Sequence, residues 1–216
     1  MPRRPFLVLW ALVSVAMLGV GYQTLRHSQA DTLFVPKINR IEAAPLCPWR
    51  QPEADLRRFF PETTGYRTDT RILSGMRLAL ARELGRPVLP EENALHLYRA
   101  LAGNDWVGTV LVRRVKGEYG AIEIVVAVGR DGKVRGLRFQ RLREPPAIAE
   151  ALQDPAWQGR FQGQTRASCW RLGAAIPEVP AVARQSAASV VEGVHSLLVL
   201  LDTADRSGLT VAHGGH

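Results

Sequence analysis

Residues 121–142 constrain the fold more than any other stretch of this chain. Ala121–Gly129 is apolar or small at every position except Glu123, and Arg130-Asp131-Gly132-Lys133 follows it directly. Asp-Gly is the pair a two-residue hairpin turn demands, because the turn needs left-handed backbone that glycine supplies without strain. Val134–Leu142 then returns with Val134, Leu137, Phe139 and Leu142 spaced for a half-buried strand, and Gly136 marks an irregularity within it.

The residues before it extend the same pattern. Residues 96–100 predict a strand, Gly103-Asn104-Asp105 a turn, and residues 106–115 a second strand rich in β-branched side chains, with Lys116 to Gly120 as the next loop. The expected product is a meander of antiparallel strands. Beyond the hairpin, residues 147–152 and 155–161 predict short helices after prolines. Residues 186–201 predict a longer one, whose Val190, Val191, Val194, Leu197, Leu198 and Leu201 share a face suited to covering the sheet. Trp157 and Phe161 are expected in the core, since aromatic side chains dominate cores. The fold class is α+β, with helices segregated from an antiparallel sheet.

Upstream the signals thin out. Pro36, Pro45, Pro48, Pro52 and Pro61 interrupt any long helix, so the reading there is a connecting arm with short helical turns such as residues 53–60. Residues 71–84 fit either a short amphipathic helix or a mixed segment. At the front, Arg3 and Arg4 precede a run from Phe6 to Val20 that is apolar or small throughout, with no charge before Arg26. A helix over residues 6–25 would be about 30 Å long, the thickness of a bilayer's hydrocarbon core. A cleaved secretory signal ending near Ser28-Gln29-Ala30 is the rival reading. The span length favours a membrane anchor, and the two leading arginines keep its N-terminus in the cytoplasm. The divisions expected are an anchor over 1–27, an arm over 28–90, the α+β domain over 91–202 and a loose tail over 203–216 containing His213 and His216, which are expected in solvent.

A formal charge of +8, carried mostly by arginine, raises nucleic acid as a partner. The arginines are scattered and no nucleic-acid motif accompanies them, so anionic lipid or acidic protein partners fit better and nucleic acid is not expected. Two cysteines, Cys47 and Cys169, are too few for a zinc site or an iron–sulfur cluster without other ligands. Their spacing leaves both a disulfide and two free thiols open.

From Ala94 to Val199 the chain resembles the FMN-binding domain found in the G subunit of the Rnf electron-transport complex and in the C subunit of the sodium-pumping NADH:quinone oxidoreductase. Tyr98, Tyr119-Gly120-Ala121-Ile122 and Asp131-Gly132-Lys133 stand where that family has a tyrosine-bearing strand, a Gly-Tyr-x-Gly-x-Ile loop and an Asp-Gly-Lys turn. Glu144 and Pro146 match the glutamate and the proline of its His-x-Glu-Thr-Pro-Gly segment. Trp157 and Phe161-Gln162-Gly163 match the tryptophan and Phe-x-Gly that follow. The family's threonine, glycine and histidine of that segment are missing here.

The resemblance implies FMN, joined through a phosphoester to a threonine at the start of the last helix. Aligning Val190-Val191-Glu192-Gly193-Val194 with the family's helix puts Ala183 on the motif's alanine, Arg184 on the flavin-bearing threonine and Ser186 on the second hydroxyl. Arginine has no hydroxyl to esterify, so covalent FMN is not expected unless a two-residue shift makes Ser186 the acceptor. A helix start still attracts phosphate through its unpaired N–H groups, so Glu144, Arg184, Gln185, Ser186 and Ser189 are the candidate cofactor-binding residues. In the plainer account Ser186 caps the helix, Arg184 lies in solvent and Glu144 only ends a strand.

The function implied is that of an accessory or electron-transfer subunit of an Rnf-like ion-translocating ferredoxin:NAD oxidoreductase. Its partners would be the other membrane subunits and the lipid bilayer, and its place the bacterial inner membrane, with one span and the domain in the periplasm. The alternative is a free-standing envelope binding protein of the same domain type. No catalytic triad, paired carboxylates or metal-ligand set is recognisable.

Overall fold

The computed structural model describes residues 46–206, and within them the apolar hairpin forms one end of a larger sheet, with its second strand at the edge. Five strands follow one another as an antiparallel meander: β1 (Gly65–Ile72), β2 (Ala94–Ala102), β3 (Asp105–Lys116), β4 (Ala121–Gly129) and β5 (Val134–Leu142). The Asp-Gly turn falls between β4 and β5 as expected, with Gly132 at a φ of 72°. The irregularity at Gly136 is also present. Ala127 pairs with Gly136 but Val128 with Val134, so Arg135 is left over and β5 bulges; a second bulge leaves out Gln140.

β1 corrects the expected arm over 28–90. Its eight residues pair in register with β2, from Gly65 opposite Leu101 to Ile72 opposite Ala94. The described residues from Leu46 onward belong to one unit, with no boundary near residue 90. The strand was hidden by its polarity. Tyr66, Thr68, Thr70 and Ile72 alternate with Arg67, Asp69 and Arg71, a pattern that an edge strand tolerates and an apolar-run search passes over. Residues 71–84 prove to be mixed: the end of β1, a 3-10 turn (Ser74–Met76) and helix α2 (Arg77–Leu84).

Each face of the sheet has its own cover. One carries α1 (Pro52–Phe59) and the residues just before it, which bury Trp49, Leu56 and Phe60 on Tyr98, Ala100, Val110, Val125 and Ala127. Gly108 makes room for the Phe60 ring and Gly136 for that of Phe59; a Cβ on either would lie 2.4 or 2.5 Å from ring carbon. Asp55 fastens this layer, since its buried carboxylate accepts Trp49 Nε1 at 2.6 Å and both Nε and Nη2 of Arg138 on β5 at 2.5 and 2.8 Å.

The opposite face carries α2, α3 (Pro146–Gln153), α4 (Pro155–Gly159) and the long α5 (Arg184–Arg206). Trp157 and Phe161 are buried here, as expected of core residues. Helix α5 with its leading turn, Ala181–Arg206, is long and apolar enough to cross a membrane, but most of it is buried against the sheet, as in a core helix. It runs past the expected boundary at 202: Thr203 and Ala204 are buried, and Asp205 pairs with Arg99 at 2.5 Å, so the proposed tail begins as helix. The expected anchor over 1–27, most of the arm, and His213 and His216 lie outside the described residues.

A buried ion network locks α5 to the sheet. Glu92, in the 3-10 turn Pro90–Glu92, accepts Arg113 Nη2 at 2.7 Å, two bonds from Arg86 at 2.8 and 2.9 Å, and the Leu89 N–H at 2.8 Å. Arg113, on β3, donates its other amino group to Ser196 Oγ on α5 at 2.6 Å, and Arg86 Nε reaches Glu192 on the same helix at 2.5 Å. Burial alone would raise the Glu92 pKa, but the bonds from Arg86, Leu89 and Arg113 outweigh it and hold the group at about 2. Replacing Glu92 with Ala strands a buried guanidinium and is expected to cost about 3–5 kcal/mol in urea unfolding; a loss below about 1 kcal/mol would make the network ornamental. Because the folded pKa lies below the unfolded one, this contribution is complete above about pH 4.5 and fades as pH falls toward 2. The Glu92→Gln variant should therefore show a flatter acid limb than the parent.

Candidate functional site at the start of the terminal helix

The four-residue loop Gly117 to Gly120 between β3 and β4, the exit from β5 and the start of α5 all lie at one end of the sheet. The loop closes on itself through Gly117 N–H to Gly120 O at 2.8 Å, and Arg143 N–H holds Ala121 O at 3.3 Å. Glu144 follows β5 and turns its carboxylate back under this loop. Its Oε2 accepts the Tyr119 N–H at 3.3 Å, and its Oε1 accepts the Ser186 hydroxyl at 3.1 Å. Ser186 Oγ in turn accepts the Glu118 N–H at 2.9 Å. One carboxylate and one hydroxyl thus join the loop, the strand exit and the helix.

Glycine is required where these groups meet. A Cβ on Gly117 would stand 1.7 Å from Glu144 Oε1 and 2.9 Å from Gly120 O, so any larger residue expels the carboxylate. A Cβ on Gly120 would meet the Arg143 carbonyl at 2.2 Å. The Gly-x-x-Gly spacing was visible in the sequence, but its role as a seat for a distant carboxylate was not.

Of the five candidate residues, the structure brings Glu144 and Ser186 into contact and leaves the other three outside this network. Arg184 keeps 67% of its side chain exposed and pairs with Glu178 at 3.1 Å. Gln185 is exposed and Ser189 half-buried. The plainer account of Ser186 is corrected as well. Helix α5 begins at Arg184, so Ser186 lies inside its first turn and is fully buried, too far in to be a cap. The cap is backbone instead: a 3-10 turn, Ala181–Ala183, runs straight into the helix, with Ala183 N–H on Pro180 O and Arg184 N–H on Ala181 O.

These contacts decide what the site accepts. A phosphate at a helix start needs free N–H groups and tolerates no neighbouring anion. Here the Ala183 and Arg184 amides are spent on the 3-10 turn, those of Glu118 and Tyr119 on Ser186 and Glu144, and the Glu144 carboxylate itself enjoys the positive end of the helix dipole. Arg184 offers no hydroxyl, and the hydroxyl of Ser186 is buried and bonded at both ends. The residues at this helix start do not fit an FMN held by a phosphoester.

Other chemistry finds little support among the described residues. Cys47 and Cys169 are free thiols. Cys47 lies by Gln140 on the α1 side of the sheet, whereas Trp170, next to Cys169, stacks on His195 of α5 on the other side, which separates the two sulfurs. Burial pushes the Cys47 thiol up to about 11, so it is protonated at neutral pH and a poor nucleophile. No group of three or more metal-ligating side chains converges among the described residues. A cleft of about 410 Å³ lies toward the other end of α5, lined by Trp106, Arg130, Arg166, Leu198 and Asp202 among others. Asp202 there is neutralised by Arg166 and Arg206.

The chain matches no known family model and no curated protein.

Removing the Ser186 hydroxyl leaves the Glu118 N–H and Glu144 Oε1 without it. Ser186→Ala is expected to lower unfolding stability by about 1–3 kcal/mol, read from denaturant midpoints at unchanged slope. Ser189→Ala, made as the control, should stay within about 0.5 kcal/mol.

Proposed function

We propose that the chain is a membrane-tethered accessory subunit of an Rnf-like electron-transfer assembly, carrying an FMN-binding-type domain that has given up its covalent flavin. The tether is the apolar run in residues 1–27, which places the domain on the periplasmic side of a bacterial inner membrane. Its partners are the multi-span subunits of the assembly and the bilayer. The role is accessory: electron relay by this subunit would need a cofactor bound without a covalent link, because no ordinary side chain cycles at moderate potential, and without one its part is structural.

One observation carries this reading, the bond between Glu144 and Ser186 under the Gly117 to Gly120 loop. It joins two of the five candidate cofactor-pocket positions, at the start of a terminal helix lying on the sheet, and on this reading the protein's own carboxylate takes the place of a phosphate. The antiparallel meander and the Asp131-Gly132-Lys133 turn at its expected place support the same domain type.

Purification from native membranes in mild detergent tests both halves. Co-elution with multi-span, flavin- and iron–sulfur-bearing subunits is expected, and the denatured chain should show no flavin fluorescence in a gel. A chain that elutes alone would overturn membership of an assembly and leave a free-standing envelope protein. A fluorescent band at the mass of this chain would overturn the loss of covalent flavin.

A further inference from the structure

Glu123 is the one charged residue in β4, and it is fully buried on the α1 side of the sheet, away from α5. Three arginines from three separate elements surround it. Arg114, directly opposite on β3, donates Nη2 to Oε1 at 2.9 Å; Arg50, ahead of α1, places Nη2 3.6 Å from Oε2; and Arg141, opposite on β5, places Nη1 3.9 Å from Oε1. Gln140, the bulged residue of β5, adds an N–H at 3.2 Å and is itself held by the Pro48 carbonyl at 2.9 Å. The bulge is what allows both Gln140 and Arg141 to serve the same carboxylate.

The charges at this point do not balance. Three guanidiniums share one carboxylate, and none of the three pairs with another acid among the described residues. Lys116 lies two residues beyond Arg114 on β3 and therefore on the same face. The arginine side chains are 45%, 51% and 34% exposed for Arg50, Arg114 and Arg141, so their unused N–H groups face solvent. Each guanidinium carries five donors, of which Glu123 takes at most one or two. Like charges gathered this closely repel unless an anion lies among them, and the buried carboxylate offsets only one.

We propose that Arg50, Arg114, Arg141 and Lys116 form a phosphate-binding site on the α1 face, with Glu123 as the buried template that holds the guanidiniums in a fan. Guanidinium forks match phosphate oxygens in pairs, and a fixed fan loses little side-chain entropy on binding. This site is separate from the helix start, lies on the opposite face of the sheet, and does not depend on the function proposed above. The phosphate belongs either to a soluble ion or ester or to a lipid head group.

The full-length chain in detergent micelles free of phospholipid, titrated with inorganic phosphate in a calorimeter, is the first arm. Saturable binding is expected, weakened about tenfold by Arg114→Lys and by Arg141→Gln and unchanged by Arg160→Gln, an exposed arginine elsewhere. Arg114→Lys keeps a cation on Glu123, so the fold survives while the fork is lost. The second arm compares hydrogen exchange over residues 46–51 and 112–118 in nanodiscs of phosphatidylglycerol and of phosphatidylcholine, with slower exchange on the anionic lipid in the parent but not in Arg114→Lys. Binding in the first arm identifies a soluble phosphate, and protection in the second alone identifies the lipid head group. Absence of both, or binding that the two site variants leave unchanged, overturns the site.

Discussion

Helix α5 lies close against β3 and β4 because Gly193 has no side chain. A Cβ there would stand 2.5 Å from a methyl of Val115 and 3.4 Å from the end of Ile124, so any other residue lifts the helix off the sheet at its middle. The close approach lets Val190, Val194, Leu197 and Leu198 sink among the strands' apolar side chains, each such burial contributing on the order of 2 kcal/mol. It also sets the height of everything attached to the helix. Ser196 meets Arg113 and Ser186 meets the Glu118 amide only at this separation, so the ion network and the candidate site share one geometric cause.

At the start of α5 the groups able to hold an anion are engaged within the protein. Positive dipole end, loop amides and hydroxyl are all present, and each has been turned toward an internal carboxylate. A tethered carboxylate binds without the translational entropy loss that a free phosphate suffers, so it outcompetes a weakly held ligand at ordinary concentrations. It also makes the arrangement independent of any external ligand.

Much of this was legible from residue spacing, and the failures have a common origin. The β4–β5 hairpin, the bulge at Gly136 and the sheet-covering face of α5 followed from apolar periodicity and turn chemistry, because those signals are local. Strand β1 escaped because its pairing with β2 supplies the order that its polar side chains do not advertise. Glu144 and Ser186 could be singled out only through a resemblance, 42 residues apart, and nothing local says that they touch. Ser186 also resembled a cap, since the 3-10 turn that moves the true helix start back to Arg184 is built from Ala-Val-Ala and carries no capping side chain. Glu123 was visible as a lone charge in an apolar strand, but its meaning depends on registers with β3 and β5 that only the folded sheet specifies.

The arginine excess acquires a physical explanation from the same registers. Three buried carboxylates each gather arginines from distant elements: Asp55 holds Arg138, Glu92 holds Arg86 and Arg113, and Glu123 holds Arg114 with Arg50 and Arg141 nearby. Arginine suits this work better than lysine, because its delocalised charge is cheaper to desolvate and its fork bonds two partners at once. The first two acids sit where the α1 layer and α5 respectively dock, and there the charges are matched closely enough to act as internal clamps. Around Glu123 the count is unequal and the cations reach solvent. The same structural device, one acid fixing arginines against a sheet, therefore yields a closed clamp when the numbers match and an outward-facing cationic surface when they do not.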